Sequence, residues 1–288
     1  MILVTGATGT VGAPLMGALT AMGHKVRPLV QHAADIPASW TEEVEPVVAD
    51  LDDPASLDVA VAGVDTIYLL VPAHQRMAQY EHNVIEAARQ STERPRVGLH
   101  AAAGFDRAPD TVRFAAAHAR ALAELRASGL AWSVVAPNGF LQNVLGMAAQ
   151  IRDGVLRLPA GDGAVSYVDA ADVADAAAHV LTTTGHDERI YTLTGPHAVT
   201  HAEIAERLGA VLGRPVRYEA VTDEQARAAS TRNSWLRDGM IELFGVYRSG
   251  AAAAVTDDLP DLLGRPGRSL QSYLAANAAA VRAVDRSG

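Results

Sequence analysis

Three observations predict an α/β fold, a Rossmann-type doubly wound parallel sheet with a smaller C-terminal α/β cap. Short runs rich in Val, Ile and Leu alternate with longer segments of helical character. The first run leads directly into three glycines, in VTGATGTVGAPL at residues 4–15. After about residue 152 the alternation changes to shorter strands and longer helices.

Taken in order, the strands read as ILVT (2–5), KVRPLV (25–30), VEPVVA (44–49), DTIYLLV (65–71), RVGLHAA (96–102) and WSVVAP (132–137). Residues 11–22, 54–62, 75–90, 111–128 and 139–151 can each turn an apolar face toward a sheet. Parallel neighbours need crossover connections, and these helices supply them. Residues 32–43 carry Pro37 and scattered polar groups, which predicts an irregular crossover. Beyond residue 152 come GVLRLPA and AVSYVD as strands, a helix over 170–183, RIYTLTG, a helix over 200–212 and PVRYEAV. Helices over 223–249 and 269–284 complete the chain. The expected division is a nucleotide-binding core over 1–152 and a mainly substrate-binding cap over 153–288, with about 165–195 returning to the core.

At 288 residues and 49% hydrophobic, the chain can bury a full core. Its 24 Lys and Arg against 33 Asp and Glu give a net charge of -9, and no basic run would attract nucleic acid or an anionic membrane. A small molecule or another protein is the expected partner. The absence of cysteine excludes disulfides, thiol nucleophiles and thiolate-bound metal. Neither a signal segment nor a membrane-spanning run is evident, so a cytoplasmic location is expected. The ten His residues form no HExxH or similar spacing, so no metal site is expected, and no serine sits in a GxSxG turn.

The glycines point to phosphate. Gly6 suits a tight turn leaving the strand, Gly9 lets backbone approach a pyrophosphate, and Gly12 lets the helix pack closely. Amide groups at the helix start, with the positive end of its dipole, would face the phosphates, and Thr8 and Thr10 add hydroxyls. Val11 completes the loop.

The spacing of Gly6, Gly9 and Gly12 is GxxGxxG, and TGATGxxG resembles the atypical, NmrA-like branch of the short-chain dehydrogenase/reductase superfamily. Further matching stretches are ADLDDPASLDVAVAGVDTIYLLVP, NVIEAARQS, LRASGLAWSVVAPNGFLQN, VDAADVADAAAHVL and YTLTGPHAVTHAEIAERLGAVLGRPVRY, so the likeness covers nearly the whole chain. It implies a nicotinamide dinucleotide, with Asp50 and Leu51 framing the adenine and Val71 and Pro72 passing along the cofactor ribose. Outside the resemblance, Asp50 would equally cap the helix at 54–62 and Leu51 would be core. Pro137 is a further candidate cofactor contact.

At the end of the second strand stand Gln31 and His32, with no acid to hold a free ribose hydroxyl and no Arg to grip a 2'-phosphate. Gln31 can donate to phosphate and His32 can add partial charge, which favours NADP(H) slightly over NAD(H). Aligned with typical short-chain dehydrogenases, Phe114 and His118 stand where the Tyr and Lys would be, and the Ser position falls at Ala101 or Ala102. The standard catalytic set is therefore absent. What the resemblance implies is hydride transfer to an easily reduced apolar acceptor such as a quinone or enone. A non-catalytic redox sensor, and a lyase or isomerase on the same scaffold, stay open beside it.

His118 is the candidate proton donor and ribose neighbour, because an imidazole can shuttle a proton near neutral pH; a packing role is its alternative. Candidate substrate contacts are His74, Asn138, Phe140 and Gln142, with Tyr167 at a rim. Trp235, Met240, Leu243, Phe244 and Tyr247 share one side of a helix over 233–248, and Trp235 and Phe244 could roof an apolar acceptor. The same stripe would also serve as plain core.

Overall fold

The structure, a computed structural model, describes residues 1–286. The amino-terminal half runs β1 (Ile2–Val4), α1 (Gly12–Ala21), β2 (Val26–Val30), a 3-10 turn (Ala33–Asp35), β3 (Val47–Val48), α2 (Pro54–Val61), β4 (Thr66–Leu69), α3 (Met77–Gln90), β5 (Arg96–His100), α4 (Arg113–Ser128) and β6 (Trp132–Pro137). There follow α5 (Asn143–Ala149), β7 (Val155–Leu158), β8 (Ala164–Val165), α6 (Ala170–Thr182), β9 (Arg189–Leu193), β10 (Val199–Thr200), α7 (His201–Leu212) and β11 (Arg217–Ala220). The remaining helices are α8 (Asp223–Ala229), α9 (Ser234–Arg248), α10 (Asp258–Leu263), α11 (Leu270–Ala276) and α12 (Ala278–Arg286). Among the described residues, no helix is long and apolar enough to cross a membrane.

Two compact units divide the chain. The first comprises Met1–Asp110, Phe114–Ala136 and Val173–Tyr191; the second comprises Thr111–Arg113, Pro137–Asp172 and Thr192–Gly288. The division thus falls after Ala136, ahead of the position 152 expected from sequence, because the segment after β6 folds with later strands: Leu141 N–H donates to Val168 and Val168 N–H donates to Gly139.

In the first unit a seven-stranded sheet has the order β3-β2-β1-β4-β5-β6-β9. Neighbours from β3 through β6 pair in parallel. The order reverses beside β1, so β1 and β4 flank the crevice where such sheets open at their carboxyl ends. Leu3, Val4, Ile67, Leu69, Val97 and Leu99 are buried in the strands, with Leu15, Leu19, Leu122 and Leu125 from the helices. The β2–β3 connection is irregular, with only the short 3-10 turn, as its Pro37 and polar residues suggest.

The turn from β1 to α1 is close-packed. Gly6 has φ +62°, and a Cβ there would lie 2.6 Å from Leu70 Cδ2. A Cβ on Gly12 would sit 2.0 Å from the Gly6 carbonyl oxygen, where no atom fits. Thr5, fully buried, ties the turn to β4: its hydroxyl donates to the Leu70 carbonyl at 2.8 Å and accepts from the Leu70 N–H at 2.8 Å.

The second unit has two small ribbons, β7 with β11 in parallel and β8 with β10 antiparallel. Its core includes Leu141, Val144, Leu156, Ile204, Leu208, Tyr247 and Leu274. Thr200 caps α7 in a reciprocal box with Glu203. The helix expected over 223–249 is two helices, because the Asn233 side chain accepts from Leu236 N–H and starts a new one. The expected 269–284 helix also breaks at Asn277, whose amide donates to the Tyr273 carbonyl. Asp172 is fully buried and accepts from the Arg265 and Arg268 guanidinium groups at 2.8 and 2.6 Å.

His201 is enclosed by aromatic rings, with Tyr218 at 5.9 Å and Tyr167, Phe244 and Tyr247 each at 6.2 Å between centroids. Its Nε2 meets the Tyr167 hydroxyl at 3.0 Å and its Nδ1 has no partner. Burial pushes the ring down to about 4. The unfolded value lies near about 6.5, so the unfolded chain binds the proton more readily between those limits and acid favours unfolding. Stability linked to His201 is complete above the higher limit and is lost as pH falls toward the lower.

Two outcomes are expected. Going from pH 7.5 to pH 5 should remove about 2 kcal/mol of stability through His201, and His201→Phe should flatten that part of the profile in chemical denaturation. Gly12→Ala should cost more than about 2 kcal/mol by overpacking the turn, read as a lowered denaturation midpoint.

Candidate functional site

The β1–α1 turn supplies donors with nothing to donate to. Gly9 N–H returns to the Gly6 carbonyl at 3.0 Å, but the N–H groups of Thr8, Thr10, Val11 and Gly12 make no hydrogen bond among the described residues. Val11 precedes the helix without a side-chain cap, and no acidic residue stands in its first turn. Pro14 in that turn is harmless, since it lacks an N–H where helical partners are missing anyway. Thr8, Gly9 and Thr10 are exposed, while Val11 and Gly12 are buried beneath them. Open donors, a positive helix end and a surface stripped of Cβ atoms make a cradle suited to a diphosphate.

The other candidates of the first unit follow the carboxyl ends of successive strands. Gln31 and His32, both exposed, follow β2, and His32 is extended at the start of the 3-10 turn. Asp50 and Leu51 follow β3. Asp50 does not cap α2: its carboxylate accepts from Asp52 N–H, while Asp53 is the cap through Ala55 N–H. Leu51 is half-buried and its carbonyl accepts from Asn83. After β4 come Val71, buried, and Pro72, exposed, next to the Leu70 that Thr5 holds. His74 stacks on Tyr80 with centroids 5.3 Å apart. Strand pairing therefore gathers the loop glycines, Gln31, His32, Asp50, Leu51, Val71, Pro72 and His74 along one sheet edge.

His118 lies on α4 with 6% of its surface exposed. Its Nδ1 is 2.8 Å from Glu81 Oε1 on α3. His100 closes β5, and its Nδ1 meets the Tyr68 hydroxyl at 2.6 Å. Burial pushes the Tyr68 hydroxyl above the usual phenol range. Burial first, and then repulsion from His118, push His100 down to about 3, so that ring is neutral. Phe114 is half-buried on α4 and has no group that could donate a proton.

The candidates of the second unit are mostly spent on its own structure. Pro137 ends β6 and is buried. The Asn138 amide donates to Ser166 Oγ and the Ala252 carbonyl, each at 2.8 Å, and its carbonyl accepts from Gly139 N–H. Gln142 donates to Asp169 and accepts from Ala170 N–H at the start of α6. Phe140 is half-buried and bridges to Val168 in parallel. Tyr167, expected at a rim, is 2% exposed in the core, because its hydroxyl is needed at His201. Phe244 and Leu243 pack against that core and Tyr247 belongs to it, so the core alternative holds for these members of the stripe. Trp235 lies under the Arg113 guanidinium at 5.4 Å, and Arg113 pairs with Glu242.

Three residues of evident importance escape the sequence reading: Thr5, Tyr68 and Glu81. Thr5 and Tyr68 sit in apolar strands with no local sign of their partners. Glu81 did carry a signal, since it interrupts the buried stripe of Met77, Val84, Ile85 and Ala88 on α3.

The model of the NmrA-like family matches residues 1–247. An NAD(P)H azoreductase of Xenophilus azovorans is 36% identical over 289 residues, covering 99% of this chain and 100% of that protein. A (4-alkanoyl-5-oxo-2,5-dihydrofuran-3-yl)methyl phosphate reductase of Streptomyces griseus is also 36% identical, over 97% of this chain and 99% of its own length. Among solved structures, an NADPH-dependent quinone oxidoreductase of Escherichia coli complexed with NADPH superposes with a TM-score of 0.88 at 26% identity, covering 96% of this chain and 99% of that one. With a family match over most of the sequence and full-length relatives of this identity, the chain belongs to the NmrA-like family.

Proposed function

We propose that this chain is an NAD(P)H-dependent oxidoreductase that delivers a hydride to a small or medium apolar acceptor, a quinone or enone, without the usual Ser, Tyr and Lys. The observation that carries the reading is the set of unpartnered N–H groups in a turn that Gly6 and Gly12 keep free of side chains. The names of the full-length relatives, an NAD(P)H azoreductase, a dihydrofuranylmethyl phosphate reductase and an NADPH-dependent quinone oxidoreductase, support the same class.

The residues present fit a nicotinamide dinucleotide. Thr8, Gly9, Thr10, Val11 and Gly12 would hold its diphosphate, Asp50 and Leu51 its adenine, and Val71, Pro72 and Pro137 the path toward the nicotinamide. When bound in its reduced form, the group supplies two electrons and a hydrogen as hydride. The chain's part is to orient and to furnish one proton, for which His118 is our candidate. Holding two reactants in near-attack geometry suffices for an acceptor that is easily reduced. Acceptor contacts are proposed in the second unit at Asn138, Phe140, Gln142, Trp235 and Phe244, with His74 a separate candidate in the first; Tyr167 is core.

NADP(H) is favoured over NAD(H). The residues after β2, Gln31 and His32, present exposed donors and no carboxylate that would repel a 2'-phosphate.

Mixing the purified protein with NADPH and a panel of quinones, enones and azo compounds should bleach nicotinamide absorbance. Tight binding with no turnover across the panel would replace this reading with that of a dinucleotide-responsive regulator. Gln31→Arg should strengthen NADPH binding by roughly tenfold while NADH changes little, as one charge-assisted contact would give. Equal gains for both nucleotides would refute the placement of the 2'-phosphate, as read by calorimetry.

A further inference from the structure

Glu81 occupies a costly place. It lies on the apolar stripe of α3 with none of its surface exposed. A carboxylate removed from water is strongly disfavoured unless charge or hydrogen bonds compensate it. One oxygen meets His118 Nδ1 at 2.8 Å, and the other, Oε2, has no partner. Among the described residues, no Lys or Arg forms an ion pair with Glu81, and its one polar side-chain partner is the His118 imidazole.

A contrast with the neighbouring imidazole gives this arrangement its meaning. His100 Nδ1 meets the Tyr68 hydroxyl, a group that can donate or accept and so leaves either imidazole tautomer open. His118 has no such freedom, because a carboxylate at Nδ1 can only accept. The His118 side chain keeps 7% exposure, whereas that of Glu81 keeps none. The groups facing His118 are Glu81 from α3 and His100 from β5, with the uncharged Phe105 ring edge-on at 6.2 Å. Two imidazoles in one buried cluster are thus given different duties by their partners.

We infer that Glu81 is a positioning residue that fixes the His118 proton on Nδ1 and supplies the negative charge that lets the ring carry a second proton on Nε2, so that the pair stores the proton for the reduction. This rests on the hydride-transfer reading above. In that reaction the acceptor gains a hydride at carbon and becomes an anion on its conjugated oxygen. The Nε2–H bond of His118 then breaks, its electron pair stays on the ring, and the proton goes to that oxygen. The nucleotide is oxidised, the acceptor is reduced, and water restores the proton to Nε2.

Nitrogen-15 spectra of the imidazole rings test the pairing without any acceptor or nucleotide. In the wild-type protein the His118 signal should show a proton on Nδ1, and Glu81→Gln should change both that signal and its dependence on pH. Under turnover, Glu81→Gln should lose roughly tenfold in kcat/KM and move the alkaline limb of the pH profile downward, while the Kd for NADPH stays within about twofold. Glu81→Asp, which keeps the charge, should recover part of the rate and restore the limb; it also serves if the Gln variant is insoluble. Identical ring titrations in the wild-type and Gln proteins would overturn the inference. Should the rings titrate as expected while no acceptor is reduced, the pairing stands and the hydride-transfer reading falls.

Discussion

Much of the first unit depends on how the ends of β1 and β4 are pinned together. These two strands flank the place where the sheet order reverses, and there the backbone has to leave both of them in tight turns. Thr5 bridges the two with one hydroxyl, donating to and accepting from Leu70, and each such bond contributes about 1 kcal/mol when buried. Fixing Leu70 in turn sets the floor against which Gly6 turns and on which α1 begins. The open amide groups exist because this clamp and the glycines hold the helix start in place without a side-chain cap. Stability elsewhere supports a local arrangement that leaves polar groups unsatisfied, as binding turns commonly do.

Buried polar groups differ in how completely the fold satisfies them. In the second unit, Asp172 with two arginines and Asn138 with Ser166 and Ala252 satisfy nearly all their hydrogen-bonding capacity, which is the pattern of structural networks. In the first unit Glu81 keeps a bare oxygen and His118 an uncommitted nitrogen. The second unit also keeps one bare atom, His201 Nδ1 inside its aromatic cage, but only at Glu81 does the unsatisfied atom belong to a carboxyl group, which is costlier to bury.

The sheet and the glycine turn were legible in the sequence because both depend on short-range patterns: apolar runs at regular intervals, and three small residues directly after a strand. The placements after β2, β3 and β4 followed, since a parallel sheet brings the ends of its strands to one edge. What the sequence hid was pairing across distance. Glu81 visibly interrupts an apolar stripe, yet nothing nearby names His118, thirty-seven positions on, as its partner. Tyr167 read as a rim residue because its partner His201, which opens α7, is thirty-four positions away in sequence. Helix breaks at Asn233 and Asn277 were masked by the surrounding helix formers, although Asn233 is a residue type that favours a helix start.

The unpartnered donors at the start of α1 attract any small oxyanion of suitable size, whatever its origin. Sulfate or phosphate from a purification buffer would compete there with the nucleotide, so apparent affinities measured in such buffers will understate the true ones. Chloride-based or zwitterionic media give the fairer comparison, and a crystal grown from ammonium sulfate should show a tetrahedral anion bound at this turn.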